Sequence, residues 1–168
     1  MNRRTALTLT TMALLCGGVA LPASDARGQS AKDLVGTWTW VSVELTRPDG
    51  TKVQPYGATP KGYIVFDSNG RFAYLLSRPD RPKFAANDRD RGTPEENKAV
   101  VQGSLGYSGT YSVSDKTLIF SVEASTYPNA EGQEQKRNIT SLTADELKYT
   151  NPSPTVAGTA QTVLRRVK

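Results

Sequence analysis

The chain has 168 residues, with 21 lysines and arginines against 16 aspartates and glutamates, one cysteine and no histidine. That length suits one domain with a sizeable core, and the missing histidine excludes a Ser-His-Asp triad and an imidazole metal site. The net charge of +5 carries no basic stripe interleaved with aromatics, so no nucleic-acid partner is expected; nor is a metal or a cofactor.

Residues 1–30 read as a cleaved secretory signal. Arg3 and Arg4 precede an apolar run from Ala6 to Leu21, and small residues and breakers follow at Pro22, Ala23, Ser24, Ala26 and Gly28. Ser24 and Ala26 fill the small positions before one cut, and Ser30 marks a second. Arg3-Arg4 ahead of Thr5-Ala6-Leu7 partly resembles a twin-arginine export signal. Cys16 follows Ala13-Leu14-Leu15, which lack the small residue that lipid attachment needs just before the cysteine, so it reads as one more apolar residue of the leader. The run is too short and broken to span a bilayer well. A secreted or periplasmic monomer is expected, with no transmembrane span in the mature chain. Cleavage before Ala31 removes Arg3, Arg4, Arg27 and Asp25, leaving 18 basic against 15 acidic side chains. The mature domain, residues 31–168, then has a charge of +3 and neither cysteine nor histidine, which excludes disulfides and thiol nucleophiles.

From Gly36 onward the chain alternates apolar and polar residues in short segments divided by turn chemistry. Gly36–Leu45 is the first strand and "RPDG" closes it. A short extended piece follows around Lys52–Tyr56. "GYIVFD" and "RFAYLLS" flank "SNG" as a hairpin. The segment 78–96 mixes both signs of charge and is long for a loop in a compact barrel; with Phe84 as its apolar anchor it is a candidate lid, the alternative being an ordered surface connection held by its own ion pairs. "GTPEENKAVVQG" then predicts a helix, with Thr93 as N-cap, Pro94 at the first helical position and Glu96 completing a capping box. "GTYSVS" and "TLIFSVEAS" flank "DK", "QKRNITSL" and "ELKYTNP" flank "TAD", and "TAQTVLRRVK" ends the series. The pattern predicts an all-β domain: an eight- or nine-stranded antiparallel up-and-down barrel with one short helix. Closure removes every exposed edge, and about eight strands leave an interior that side chains fill or that holds one small ligand.

"GTW" at the head of the first strand, with arginine near the chain's end, resembles the lipocalin arrangement, in which the Trp plugs the closed end of the barrel and the Arg lies across it. Here the residues are Gly36, Trp38 and either Arg165 or Arg166; Arg165 is favoured if Val163 and Val167, which share its parity, point inward. Trp40 shares Trp38's face. The blocks "LVGTWTWVSVE", "DGTKVQPYGATPKGYIVF", "RPDRPKFA", "GTPEE", "YSGTYSV" and "EQKR" extend the likeness over nearly the whole mature chain, to the bacterial and fungal lipocalin-like domain family. The resemblance implies a small calycin-type barrel that binds a small apolar molecule. Family members often carry a histidine pair ahead of the equivalent of Val122-Glu123. Phe120 and Ser121 stand there in this chain, so no imidazole role is carried over.

Parity sorts the candidate interior residues. Phe120 falls with Leu118 and Val122, Tyr111 with Val113, Tyr149 with Leu147, and Tyr74 with Phe72 and Leu76, while Tyr63 falls with Val65. Together they form an apolar wall with hydroxyl handles. Glu44 shares the Trp38/Trp40 face and Arg137 shares parity with Ile139; either these charges sit outward or at strand ends, as such residue types usually do, or Glu44–Arg137 or Glu123–Arg137 forms a buried pair able to anchor a ligand's carboxylate or hydroxyl. Three functions follow: a carrier of a small apolar molecule, an isomerase or cyclase using a buried carboxylate and a tyrosine, or an envelope interaction module with a filled barrel.

Overall fold

The fold is drawn from a computed structural model that describes residues 30–168. The leader read at residues 1–30, with Arg3, Arg4 and Cys16, therefore lies outside the described residues, Ser30 excepted.

Period-two patterning becomes strand almost everywhere it was expected. A single helical turn, α1 (Ala31–Leu34), leads into β1 (Gly36–Thr46), β2 (Lys52–Val53), β3 (Lys61–Phe66) and β4 (Arg71–Ser77). A long connection carries α2 (Pro94–Gly103), and β5 (Ser104–Ser114), β6 (Thr117–Ser125), β7 (Glu134–Leu142), β8 (Glu146–Asn151) and β9 (Thr159–Arg166) complete the chain. Each strand from β3 onward pairs antiparallel with the next, β1 pairs with β3, and β9 returns to β1 through partners such as Trp40↔Leu164 and Glu44↔Gln161. The result is a closed eight-stranded barrel in which β2 adds a two-residue pairing to the end of β1. α2 starts as its sequence dictates. The Thr93 N–H donates to Glu96 Oε2 at 2.8 Å and the Glu96 N–H to Thr93 Oγ1 at 3.2 Å, with Pro94 where its missing N–H costs nothing.

The inward residues form one core running from Leu34 and Trp38 through Ile64, Phe66, Phe120 and Leu147 to Tyr149. At its closed end Trp38 is fully buried, and its indole N–H donates to Leu34 O at 2.8 Å. The Arg166 guanidinium lies 4.1 Å from the centre of the Trp38 ring and donates to the carbonyls of Asp33, Val35 and Ala144. One cation thus stacks on the plug and ties three chain segments together. The preference for Arg165 is corrected: β9 turns Thr162, Leu164 and Arg166 inward and leaves Val163 half-buried and Arg165 exposed. Gly36 has φ +129°, so its backbone requires glycine, and a Cβ there would also press on Arg166 Nη1 at 2.9 Å.

Candidate functional site

The barrel interior divides in two. Towards the closed end, aromatic rings fill it: Phe72 and Phe120 meet with centroids 4.5 Å apart and Phe66 lies edge-on to Tyr111 at 4.8 Å, while Tyr107 stacks on Tyr74 at 4.1 Å beneath the open end. Towards the open end, the walls leave a cavity of about 90 Å³. Its floor and walls come from Tyr74 on β4, Gln135 and Arg137 on β7, Tyr149 on β8 and Thr162 on β9, with Val43 and Leu45 of β1 as the apolar side. Its mouth is framed by Pro55-Tyr56, by Gln102 and Leu105 around the end of α2, and by Pro154–Val156.

Arg137 is the chemically distinctive group. It is only 4% exposed, yet none of the ion pairs among the described residues involves it. Its Nη2 donates to Gln135 Oε1 at 2.7 Å and more weakly to Tyr107 Oη at 3.4 Å, and its Nη1 donates to Lys136 O at 2.9 Å. The guanidinium also faces the Phe120 ring at 5.7 Å. Every partner is neutral. The surrounding hydroxyls stay protonated: burial pushes Tyr74, Tyr107 and Tyr149 above the ordinary tyrosine range, most strongly Tyr74 and Tyr149. A buried cation set among neutral donors and acceptors can hold an anion or a polar head group. No carboxylate lines the cavity among the described residues, so nothing there can serve as a carboxylate base.

Of the residues expected to line the site, Tyr74, Arg137 and Tyr149 meet at the cavity. Phe120 and Tyr111 point inward but lie lower, Phe120 wholly enclosed and Tyr111 donating its hydroxyl to Asp67 O at 2.9 Å near the closed end. Three expectations are corrected. Tyr63 is on the outer face of β3, 47% exposed, because Ile64 and Phe66 take the inward positions. Glu44 faces out and pairs with Lys52 at 2.8 Å. A bulge at Val41, where the β1–β9 register shifts between Trp40 and Ser42, reverses the facing of everything after it, so Val43 and Leu45 go inside. Glu123 is the extra residue of a second bulge, opposite Ser108 and Gly109, and pairs with Arg71 at 2.6 Å on the surface. Neither Glu44–Arg137 nor Glu123–Arg137 forms.

Phe84 does not line the mouth. It packs where Gly92 leaves room for it, and Ala85 beside it donates its N–H to Glu96 Oε1 at 2.8 Å, so the 78–93 segment is bound to the start of α2. Sequence reasoning missed Tyr56, Tyr107, Gln135 and Thr162. Tyr107 has a usable signal, since Leu105, Tyr107 and Tyr111 alternate along "SLGYSGTYSVS", but it lies ahead of the Gly109 that opens the clearer "GTYSVS" segment. Tyr56 sits in a turn between β2 and β3, where no periodicity reports facing.

The lipocalin-like domain family profile matches residues 35–166, from the residue before Gly36 to the arginine that covers Trp38. The chain belongs to the lipocalin-like domain family. No curated protein matches it in sequence. Among solved structures it is similar to a lipocalin-like protein from Bacteroides uniformis, with 15% identity, 80% of this chain and 99% of that chain covered, and a TM-score of 0.45. It is similar also to a redesigned β-barrel, with 16% identity, 84% and 98% covered and a TM-score of 0.43. A third is bovine odorant binding protein in complex with a selenium-containing odorant, with 17% identity, 83% and 74% covered and a TM-score of 0.41. For this lipocalin-like chain the outward turn of Glu44 and Glu123 takes from the isomerase or cyclase reading the two bases it named.

Proposed function

We propose that this lipocalin-like protein is a secreted or periplasmic carrier, acting as a monomer, that binds a small, largely apolar molecule at the open end of its barrel. The observation that carries the reading is the cavity above the aromatic plug, apolar on its β1 side and polar around Arg137. Such a division suits a ligand with one polar handle, because apolar walls supply affinity and a few fixed polar groups supply orientation. A filled barrel would have closed this end with side chains as well. The export reading rests on the layout of residues 1–30.

The test is native mass spectrometry of the mature domain purified from the periplasm of its own source, repeated after denaturation. A mass excess that vanishes on denaturation is the expected result. A bare polypeptide mass, joined to a failure of any apolar probe to bind, would return the chain to the interaction-module reading.

A further inference from the structure

We propose that the cavity takes the carboxylate head of an alkyl monocarboxylate, held by Arg137, and that the alkyl chain leaves through the mouth into an apolar groove on the rim. This rests on the carrier reading and names the class of molecule carried.

Three observations lead to it. The first is charge. A guanidinium stays ionised in a protein interior, and leaving it 4% exposed without a counter-charge is costly. Its protein partners, Tyr107, Gln135 and the Lys136 carbonyl, are all neutral. An incoming anion would supply the missing charge, and a charge-assisted hydrogen bond is about twice as strong as a neutral one. Among the described residues no lysine or second arginine lines the cavity, so the site suits a single negative charge better than a doubly charged phosphate.

The second observation is size. A cavity of about 90 Å³ is well below the roughly 300–1,000 Å³ that encloses a drug-sized ligand. It accommodates a head group and a short length of chain, so the remainder of a longer molecule must lie outside it.

The third is a place for that remainder. A groove of about 320 Å³ adjoins the mouth and shares Tyr56, Leu105 and Val156 with the cavity. Its outer wall adds Val101 of α2 and Tyr127 beyond β6. Val101, Tyr127 and Val156 come from three separate segments and are among the large apolar side chains most exposed in the structure, at 73%, 39% and 52%. Three exposed apolar residues converging beside the entrance to a cationic cavity fit an alkyl chain whose head lies inside.

The experiment is calorimetric titration of the mature protein at neutral pH with decanoate, decanol and butanoate. Decanoate is expected to bind at least about tenfold more tightly than decanol, the worth of one hydrogen bond to a charged group, and more tightly than butanoate. Arg137→Gln should bring decanoate to the level of decanol. Val101→Asp combined with Val156→Asp, both exposed and harmless to the core, should erase the advantage of decanoate over butanoate. Because the first comparison uses the unaltered protein, it decides the matter even if Arg137→Gln does not fold. Equal binding of decanoate and decanol, or an Arg137→Gln variant that folds and keeps the difference, overturns the carboxylate assignment while leaving the carrier reading intact. If no probe binds and native mass spectrometry gives no adduct, both fail together.

Discussion

At position 36 a methyl group would have to accept a φ of +129° and a contact of 2.9 Å with the guanidinium that covers Trp38. Gly36, Trp38 and Arg166 are therefore one structural unit, and its energetics separate two neighbouring arginines that sequence reasoning left open. Arg166 contributes a cation–π contact and charge-assisted hydrogen bonds to three carbonyls. Arg165 is exposed and takes part in none of them. Arg166→Ala is expected to lower the unfolding free energy by about 2–4 kcal/mol, combining the ring contact with the carbonyls left unpaired. Arg165→Ala should stay within about 0.5 kcal/mol, as surface changes usually do. Urea denaturation of both variants checks this, and equal losses would mean that the ring contact contributes nothing. The choice was unreadable in the sequence for a specific reason. Valine parity is the available inward signal on β9, but the inward set carries Thr162, a polar residue lining the cavity, and so mimics an outward position.

Strands, turns and the α2 cap were legible because each follows from a local rule: period-two alternation, turn residues between segments, and Thr93 and Glu96 three residues apart. What escaped was the bulge. Val41 is an ordinary β-former with nothing to mark it as the extra residue, yet it alone decides that Glu44 meets Lys52 outside and that Val43 and Leu45 line the cavity. Exposed ion pairs are worth little, so Glu44→Gln should change stability by less than about 1 kcal/mol and leave ligand retention unaltered. Loss of a native mass-spectrometric adduct in that variant would put the carboxylate back in the site. The α2 start gives a pH prediction. Glu96 accepts N–H groups from Ala85 and Thr93, which hold its carboxyl below the ordinary 4.5. Its contribution is therefore complete above that ordinary value and is lost as the pH falls through the depressed native one. Thermal unfolding of the wild type should approach that of Glu96→Gln as the pH drops below about 4.5, and a gap that stays constant would show that the cap does not couple to folding. Thr93→Ala at neutral pH should cost about 1 kcal/mol.

Over the whole barrel, one end is sealed and the other keeps space, and the chain spends its aromatic residues accordingly. Trp38, Phe66, Phe72, Phe120 and Tyr111 fill the lower interior, while Tyr107, Tyr74 and Tyr149 rise towards the cavity. The closed end was legible because Gly-x-Trp and a late arginine are a compact pattern. The open end was not, since its mouth is built from turns and a helix end in which facing has no period. The tyrosine gradient makes a prediction for the molecule as a unit. Burial raises the pKa of Tyr74, Tyr107 and Tyr149 above the ordinary value of 10, so the native state resists their ionisation while the unfolded chain does not. The stability they contribute is present in full below pH 10 and is lost as the pH rises beyond it, because the unfolded state then releases protons that the native state retains. Raising the pH should therefore ionise these three tyrosines only as the barrel opens, and late tyrosinate absorbance should coincide with loss of the β-sheet circular dichroism signal. Tyr149→Phe removes one such group without removing its ring, and should move the alkaline unfolding midpoint upward. A tyrosinate signal that is complete while the sheet signal is intact would mean that water reaches the hydroxyls freely and that the cavity is open to solvent at its floor.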